Sequence, residues 1–218
     1  MNTSPLKQLV VAAAVALLVF SLGCKRKAPQ SAAAPKDFVV AVAPFSNPRA
    51  DFELLAGYLP ENVPPVSEGI PGKLDESLSH VMSGAVTSRV LPASKVGVCL
   101  KTEPRPDEGG RRGTLRYWQE IGRCAGAQYL IVPQVIAWRE RGGSAMGTTV
   151  TAAVIINFYL VDVATGGVVK FYHFDEEQKS LSDNLLEAGK FFARKGRWLT
   201  AAELAEEGMR AAMAEFKL

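Results

Sequence analysis

Few residues in the sequence have the types and spacing that chemistry requires. His80 and His173 are the only histidines. Residues two apart on a strand share a face, so Asp175 could orient His173 as a base, but no GxSxG motif supplies a nucleophile. The three cysteines stand too far apart for zinc-ligand spacing, and "GIPGKLDES" (69–77) lacks the spacing of a phosphate-binding loop. We therefore predict no catalytic, cofactor or metal site, which argues against an enzyme.

The first 36 residues differ in character from the rest of the chain. Lys7 precedes an uncharged run whose apolar core, Leu9 to Leu22, is about 14 residues long, whereas a membrane-spanning helix needs roughly 20. A charged start, a short apolar middle and a small residue before the cut are typical of a secretory signal. We expect residues 1–23 to be a signal peptide and residues 24–36, rich in Ala, Pro, Lys and Ser, to be a flexible tether.

The end of this apolar run contains a cysteine. Phe20-Ser21-Leu22-Gly23-Cys24 resembles a bacterial lipobox, although that motif usually has Leu at the position of Ser21. The resemblance implies diacylglycerol on the Cys24 thiol, cleavage before Cys24, and acylation of the new amine by a fatty acid such as palmitate. An uncleaved anchor and an ordinary secreted protein are the alternatives. Lys25 stands where Asp favours the inner membrane, so we expect an outer-membrane lipoprotein that faces the periplasm.

Composition limits the partners and the size of the folded part. The 218 residues carry a net charge of +3, and no basic stripe is interleaved with aromatic residues. Nucleic acid is therefore not an expected partner. The region 37–218 has a size that fits one domain with a sizeable core.

Hydrophobic periodicity in this region predicts one mixed five-stranded sheet covered by helices, an α/β (α+β) fold with element order βαβαβββα(α). A long loop at 46–72 separates the first strand from the first helix, and loops of this length are often functional. Ile156 and Phe158 fall on the apolar face of the clearest strand, whereas Pro133 predicts a bulge or an edge. The predicted strands are 37–44, 95–100, 128–141, 149–162 and 168–175, and the predicted helices are 73–90, 114–125 (capped by Thr114 and ended by Gly126), 180–194 and one from Thr200 onward.

This arrangement keeps Cys99 and Cys124 apart. An oxidising compartment favours a bond between them, but Cys99 would lie late in the second strand and Cys124 at the end of the following helix. That helix runs antiparallel to the strand, and ten residues of helix are roughly 15 Å long. A disulfide needs the two Cα atoms within about 7 Å. We therefore predict two free thiols.

Two segments carry a further resemblance. "GAQYLIVPQVIA" contains Gly126, Ala127, Tyr129 and Leu130, and "LVDVATGG" begins at Leu160. Together with "FVVAVAPF" they resemble the superfamily that contains CsgG, the TolB amino-terminal domain, LpoB and PelC, over roughly residues 37–216. The resemblance implies this fold and non-enzymatic envelope work. A membrane pore needs long hairpins that close into a barrel, and the turn "RGGSAMG" is short, so we do not expect a pore.

The expected function is that of a membrane-anchored periplasmic lipoprotein that acts as an interaction or assembly factor in the bacterial envelope. Its expected partners are the membrane, through the lipid on Cys24, envelope proteins, and further copies of this chain. A ring-forming accessory subunit of a secretion or polysaccharide export system is one alternative. A periplasmic enzyme with an unrecognised site is another.

Overall fold

A five-stranded sheet lies at the centre of the computed structural model, which describes residues 38–85, 89–103, 109–178 and 192–218. The strand order is β2-β1-β3-β6-β7, and a separate ribbon pairs β4 with β5. The strands are β1 (Val39–Val42), β2 (Arg89–Leu91), β3 (Tyr129–Arg139), β4 (Gly142–Gly143), β5 (Thr148–Val150), β6 (Ala153–Asp162) and β7 (Gly167–Glu177). The predicted mixed five-stranded sheet is confirmed.

The sheet has a parallel half and an antiparallel half. β1 pairs in parallel with β2 on one side and with β3 on the other. β3, β6 and β7 then form an antiparallel meander. Parallel neighbours need long crossover connections, so the chain must pass over the sheet between β1 and β3, whereas the meander needs only hairpins.

Helices cover both faces of the sheet. The helices are α1 (Ile70–Ala85), α2 (Ala93–Thr102), α3 (Gly110–Ala125) and α4 (Ala201–Phe216). Buried residues of α1 and α4 form one apolar cluster with one face of the sheet, including Ile156 and Phe158, both 0% exposed. Buried residues of α2 and α3 form a second cluster on the opposite face. The predicted core role of Ile156 and Phe158 is therefore confirmed.

Two helix ends follow the sequence signals closely. At the start of α4, the Thr200 hydroxyl accepts from the Glu203 N–H, and the Glu203 carboxylate accepts from the Thr200 N–H at 2.8 Å. This reciprocal pair is a capping box. α3 ends at Gly126, whose φ of 73° lies in the left-handed region that glycine adopts readily.

The predicted second strand is wrong. Residues 95–100 lie within α2, and the actual second strand is the three-residue β2, which occupies the end of the predicted 73–90 helix. Val96 and Cys99 are buried three residues apart, as helical spacing requires, so Val and Cys here pack from a helix. The mixture of β-branched and small residues in segment 95–100 is also typical of a strand, which led to the wrong assignment.

The predicted free thiols are wrong for the same reason. Cys99 lies on α2, beside α3, and is joined to Cys124 by a disulfide with a Cα–Cα distance of 5.9 Å. The antiparallel-crossover argument assumed that Cys99 was on a strand. With two consecutive helices packed together on one face of the sheet, the separation falls within the range that a disulfide spans.

Three smaller expectations need correction or lie outside the description. Pro133 is in the central strand β3, and the bulge lies further on, between Val135 and Ala137. The pairing of β3 with β1 ends at Val42, so the edge of Pro133 that would carry an N–H faces the loop after β1 and no strand hydrogen bond is lost. On the same edge, the Pro133 carbonyl accepts from the Ser46 N–H at 3.2 Å. The region predicted as a 149–162 strand begins in the β5 ribbon. The predicted 180–194 helix lies outside the described residues except for 192–194, and the predicted signal peptide (1–23) and tether (24–36) lie wholly outside them.

Candidate functional site

The carboxyl end of β1 is a topological switch point. The chain leaves β1 over one face of the sheet through α1, and leaves β2 over the other face through α2 and α3. In open α/β sheets, ligands bind outside the carboxyl ends of strands at such a point, because the diverging connections leave a crevice. Two cavities lie there, one on each face.

The first, which we call the α3 cavity, lies between α3 and the loop that follows β1. Its volume is about 200 Å³. Its walls are aromatic and polar: Phe45, Ser46, Asn47, Pro48, Phe52, Glu53, Thr114, Tyr117, Trp118 and Gln134. These residues come from four separate segments of the sequence, which the fold brings together.

Three residues that line this cavity each have a fully buried polar atom without a hydrogen-bond partner among the described residues: Ser46 Oγ, Asn47 Oδ1 and Gln134 Oε1. Gln134 Nε2 donates to the Glu53 carbonyl at 2.9 Å, and Asn47 Nδ2 donates to the Val135 carbonyl at 2.8 Å. A carbonyl can only accept, so these bonds fix which end of each amide is nitrogen. The two amide oxygens are therefore acceptors that nothing in the described chain satisfies.

A row of polar side chains continues from Gln134 across the sheet. Gln134, Asn157 and His173 are neighbours in register on β3, β6 and β7. Asn157 Oδ1 lies 2.7 Å from His173 Nδ1, and Asn157 Nδ2 donates to Tyr159 Oη at 3.1 Å. Because Oδ1 can only accept, the proton of the first bond belongs to His173 Nδ1. This polar row connects the cavity wall to the exposed edge strand.

Tyr159 ties the polar row to the long loop. Its hydroxyl donates to the Ala56 carbonyl at 2.9 Å, and its ring stacks on Phe171 with centroids 4.9 Å apart. Burial raises the pKa of Tyr159 to about 12, while the hydrogen bonds with Ala56 and Asn157 oppose this shift. The hydroxyl therefore stays protonated and acts as a fixed donor to the loop.

Further contacts hold the loop against the two helices. The Phe45 N–H donates to Asp75 Oδ1 on α1 at 2.6 Å, and the Thr114 hydroxyl donates to the Phe52 carbonyl at 2.7 Å. Thr114 is thus not the predicted helix cap, because α3 begins four residues earlier. Burial raises the pKa of Asp75, and the hydrogen bond from Phe45 opposes this shift. These anchors give the cavity wall a defined position.

A second cavity, the α1 cavity, lies on the other face and has a volume of about 340 Å³. Its walls are more apolar: Val42, Asp75, Leu78, Ser79, Met82, Ser83, Val90, Pro92 and Ala93. Asp75 borders this cavity while its carboxylate holds the loop of the α3 cavity. The two cavities therefore share one structural support.

Of the residues considered for chemistry from the sequence, only His173 and Asp175 share an element, and the hydrogen-bond partner of His173 Nδ1 is Asn157. His80 is exposed on α1, and His173 and Asp175 are exposed on β7. Cys24, the predicted lipidation site, lies outside the described residues. Within the described ranges, no group of His, Cys, Asp and Glu side chains could hold a metal ion. None of the helices in those ranges combines the length and apolar character needed to cross a bilayer.

Sequence reasoning did not identify the α3 cavity. The only local signal in the sequence was Gln134, an amide side chain in the middle of the apolar run "YLIVPQVIAW". In the structure Gln134 is 2% exposed. Buried polar side chains are normally hydrogen-bonded, so such a residue indicates a specific environment. Of the other contributing residues, those between 45 and 53 lie in a loop without periodicity, and Thr114, Tyr117 and Trp118 lie on α3.

Comparisons with solved structures find matches at low sequence identity. No family model matches the chain, and no curated protein matches it. A PelC dodecamer from Paraburkholderia phytofirmans is 15% identical over 83% of this chain and 87% of that chain, with a TM-score of 0.44. A lipoprotein from Neisseria meningitidis is 15% identical over 73% and 95%, with a TM-score of 0.42. The LpoB C-terminal domain from Escherichia coli is 16% identical over 65% and 83%, with a TM-score of 0.38.

Proposed function

We propose that this protein is a lipoprotein of the bacterial envelope, anchored through lipid on Cys24, which acts without catalysis by binding or assembling other envelope proteins. The lipobox-like end of the signal segment and the polar tether that follows support the anchor. Lys25 after the lipidated residue supports the outer membrane, with the folded region in the periplasm. Several acyl chains on one residue exceed the roughly two needed for stable anchoring.

The disulfide is the observation that carries this proposal. Cys99 and Cys124 are bonded, and disulfides persist in oxidising compartments such as the periplasm. The N-terminal signal and the disulfide lie in different parts of the chain and indicate the same compartment. Export past the cytoplasm is therefore supported by two independent features.

Binding rather than catalysis is supported by the surface of the long loop. Phe52 and Tyr58 are 51% and 79% exposed, and the Arg111 guanidinium lies over the Tyr58 ring at 5.0 Å. Aromatic side chains and Arg are the residue types enriched in protein–protein interfaces. His80 and His173, the imidazoles that a reaction could use, lie on α1 and β7. The loop surface is accordingly the proposed contact region for a partner.

Metabolic labelling with an alkyne-bearing fatty acid tests the anchor. Wild-type protein should incorporate the label, and Cys24→Ala should abolish it and block signal cleavage. The double variant Cys99→Ala/Cys124→Ala is the matched control and should retain the label. Label on Cys24→Ala equal to that on wild type would refute lipidation at this residue. Separation of the two membranes by density then tests the outer-membrane location.

Native mass in detergent tests the kind of assembly. An interaction factor is expected as a monomer or small oligomer, whereas a ring-forming accessory subunit would give a large closed assembly. Cross-linking in intact cells through a photoreactive residue at Tyr58 tests the contact region. Adducts with envelope proteins are expected at Tyr58 and not at the exposed Ser94 on α2, the control position. Equal adducts at both positions would contradict the loop as the contact region.

A further inference from the structure

We propose that residues 49–59, which we call the strap, open and close as a unit while the rest of the fold stays intact. In the closed position the strap lies over side chains of α3 and of the sheet, and it presents Phe52 and Tyr58 to solvent. The opening follows from the contacts of the strap alone. The further statement that a partner binds the closed strap rests on the proposed function.

Both ends of the loop that carries the strap are fixed to β3. Before the strap, the Ser46 N–H donates to the Pro133 carbonyl at 3.2 Å, and the Val135 N–H donates to the Ser46 carbonyl at 2.9 Å. After the strap, the Trp138 N–H donates to the Pro64 carbonyl at 3.4 Å. Compact surface loops whose two ends lie close together are frequently functional. Motion of the strap between these fixed points therefore requires no movement of β3.

Between these points the strap is held mainly through its backbone carbonyls, which accept hydrogen bonds from side chains of α3 and of the sheet. The carbonyls are those of Asp51, Phe52, Glu53, Ala56 and Gly57, and the donors are Arg111 (to Asp51 and Gly57), Thr114, Gln134 and Tyr159. Each of these bonds replaces a hydrogen bond to water when the strap closes, so its net contribution to stability is small. The strap can therefore be released at low cost in hydrogen bonding.

Apolar contacts of the strap are few. Leu54 is its one fully buried side chain, at 0% exposed, and belongs to neither of the two apolar clusters of the core. Leu55 and Ala56 are only partly buried against the cluster of α2 and α3. Segments with little buried apolar contact open locally at lower free energy than the core does. The helices differ in this respect, because their buried faces form the two clusters.

The surface beneath the strap is polar. Three of the four buried polar residues in the described ranges lie beneath or beside it, namely Thr114, Gln134 and Asn157. Moreover, Ser46 Oγ, Asn47 Oδ1 and Gln134 Oε1 have no hydrogen-bond partner among the described residues while the strap is closed. The strap shares the lining of the α3 cavity with these three residues, so its opening brings water to them. Since a buried polar atom without a partner costs stability, this hydration favours opening.

Amide hydrogen exchange of the full-length protein in detergent, followed by NMR, tests whether the strap moves as a unit. Tyr159→Phe keeps the ring but removes the hydroxyl that donates to the Ala56 carbonyl. The Glu53, Leu54 and Leu59 N–H groups are all hydrogen-bonded within the closed strap. We expect their exchange to accelerate by one common factor of about threefold to tenfold, the effect of losing one hydrogen bond. No acceleration, or acceleration of only one of the three, would overturn the proposal.

The matched control for this experiment is Tyr129→Phe. It removes a hydroxyl at the start of β3, whereas the strap is fixed to β3 from Pro133 onward. Exchange in the strap should be the same as in the wild-type protein. Equal acceleration by Tyr129→Phe and Tyr159→Phe would show that the effect does not arise from the contact with Ala56, and would also overturn the proposal.

Thiol labelling distinguishes opening of the strap from unfolding of the whole domain. A reagent should reach the thiol of Leu54→Cys when the strap opens, whereas Val132→Cys, also 0% exposed, lies in the cluster of α2 and α3. Mass measurement of peptides separates each site from Cys24. We expect Leu54→Cys to react on the order of 100-fold faster, with a weak dependence on denaturant, because opening exposes little surface. Equal rates with equal denaturant dependence would show that the strap opens only with the whole domain and would refute the proposal.

Cross-linking in intact cells tests whether a partner binds the closed strap. Leu54→Ser removes the one fully buried side chain of the strap and should open it, while the thermal midpoint reports that the domain stays folded. With a photoreactive residue at Tyr58, this variant should give about fivefold fewer envelope adducts than the otherwise unchanged protein, because fewer molecules hold the closed form. Unchanged adducts would refute the closed strap as the binding form. Absence of adducts from both proteins would refute the proposed contact region, whereas the exchange and labelling results would still decide whether the strap opens.

Discussion

Reduction of the disulfide should destabilise the folded region by a measurable amount. The bond between Cys99 and Cys124 closes a loop with a sequence separation of 25. In the chain-entropy model, a loop of this length removes about 3.5 kcal/mol of conformational freedom from the unfolded chain at 25 °C. Cys99 is 4% exposed and packs in the apolar cluster of α2 and α3, so the reduced thiols should remain in place. The loss therefore arises from the unfolded state.

The assay is denaturant unfolding of the segment from residue 25 onward, which lacks Cys24, followed by circular dichroism with and without a phosphine reductant. The free energy of unfolding should fall by about 3.5 kcal/mol on reduction. For a domain of this size the melting temperature should fall by roughly 7–14 °C. Cys124 is exposed, so the reductant has access to that side of the bond.

The control is the double variant Cys99→Ala/Cys124→Ala, whose unfolding should not respond to the reductant. Alkylation of the unreduced, denatured protein followed by mass measurement tests the bond itself. Two labels on wild type would show free thiols and would refute the packing of α2 beside α3 at these residues. A bonded protein whose stability changes by less than about 1 kcal/mol on reduction would instead refute the entropic magnitude.

The remaining predictions concern packing and charge, and all are measured by denaturant unfolding. Phe158→Ala should cost about 3–5 kcal/mol, because the side chain is 0% exposed in the larger apolar cluster, and an unchanged midpoint would contradict this. Gly122→Ala should destabilise the protein, because the added Cβ would lie 2.4 Å from Val163 Cγ2. Gly97→Ala should instead stabilise α2 by up to about 1 kcal/mol, because nothing lies within 4 Å of the added Cβ. Stability changes of the same sign in the two variants would show that packing does not determine the effect. Burial raises the pKa of Asp75, so the folded state holds its proton more tightly than the unfolded state and loses stability as pH rises through the folded pKa. Asp75→Asn keeps an acceptor, so it should increase stability at neutral pH and have little effect below the unfolded pKa; an equal effect at both pH values would contradict this reasoning.

The strands and helices that could be predicted are those whose periodicity matches their burial. β6 was predicted from the apolar residues on its one face, such as Ile156 and Phe158, which pack in the cluster of α1 and α4, although its other face is also buried. α4 shows both halves of its capping box in the sequence. β2 could not be predicted, because it has three residues and only Leu91 is buried. A strand that short shows no alternation, and its position at the end of the sheet depends on pairing with β1, which is a long-range contact.

One misassignment explains two errors, and its correction changes the interpretation of the molecule. Placing the second strand at 95–100 put Cys99 on the sheet and away from Cys124, which predicted free thiols against the expected compartment. Placing it at 89–91 makes room for α2, brings the two cysteines together and gives β1 a parallel neighbour on each side. The same correction makes the end of β1 a switch point between α1 and α3, where a crevice forms. The disulfide and the α3 cavity are thus consequences of one topology: the bond joins α2 to the helix that forms a wall of the cavity.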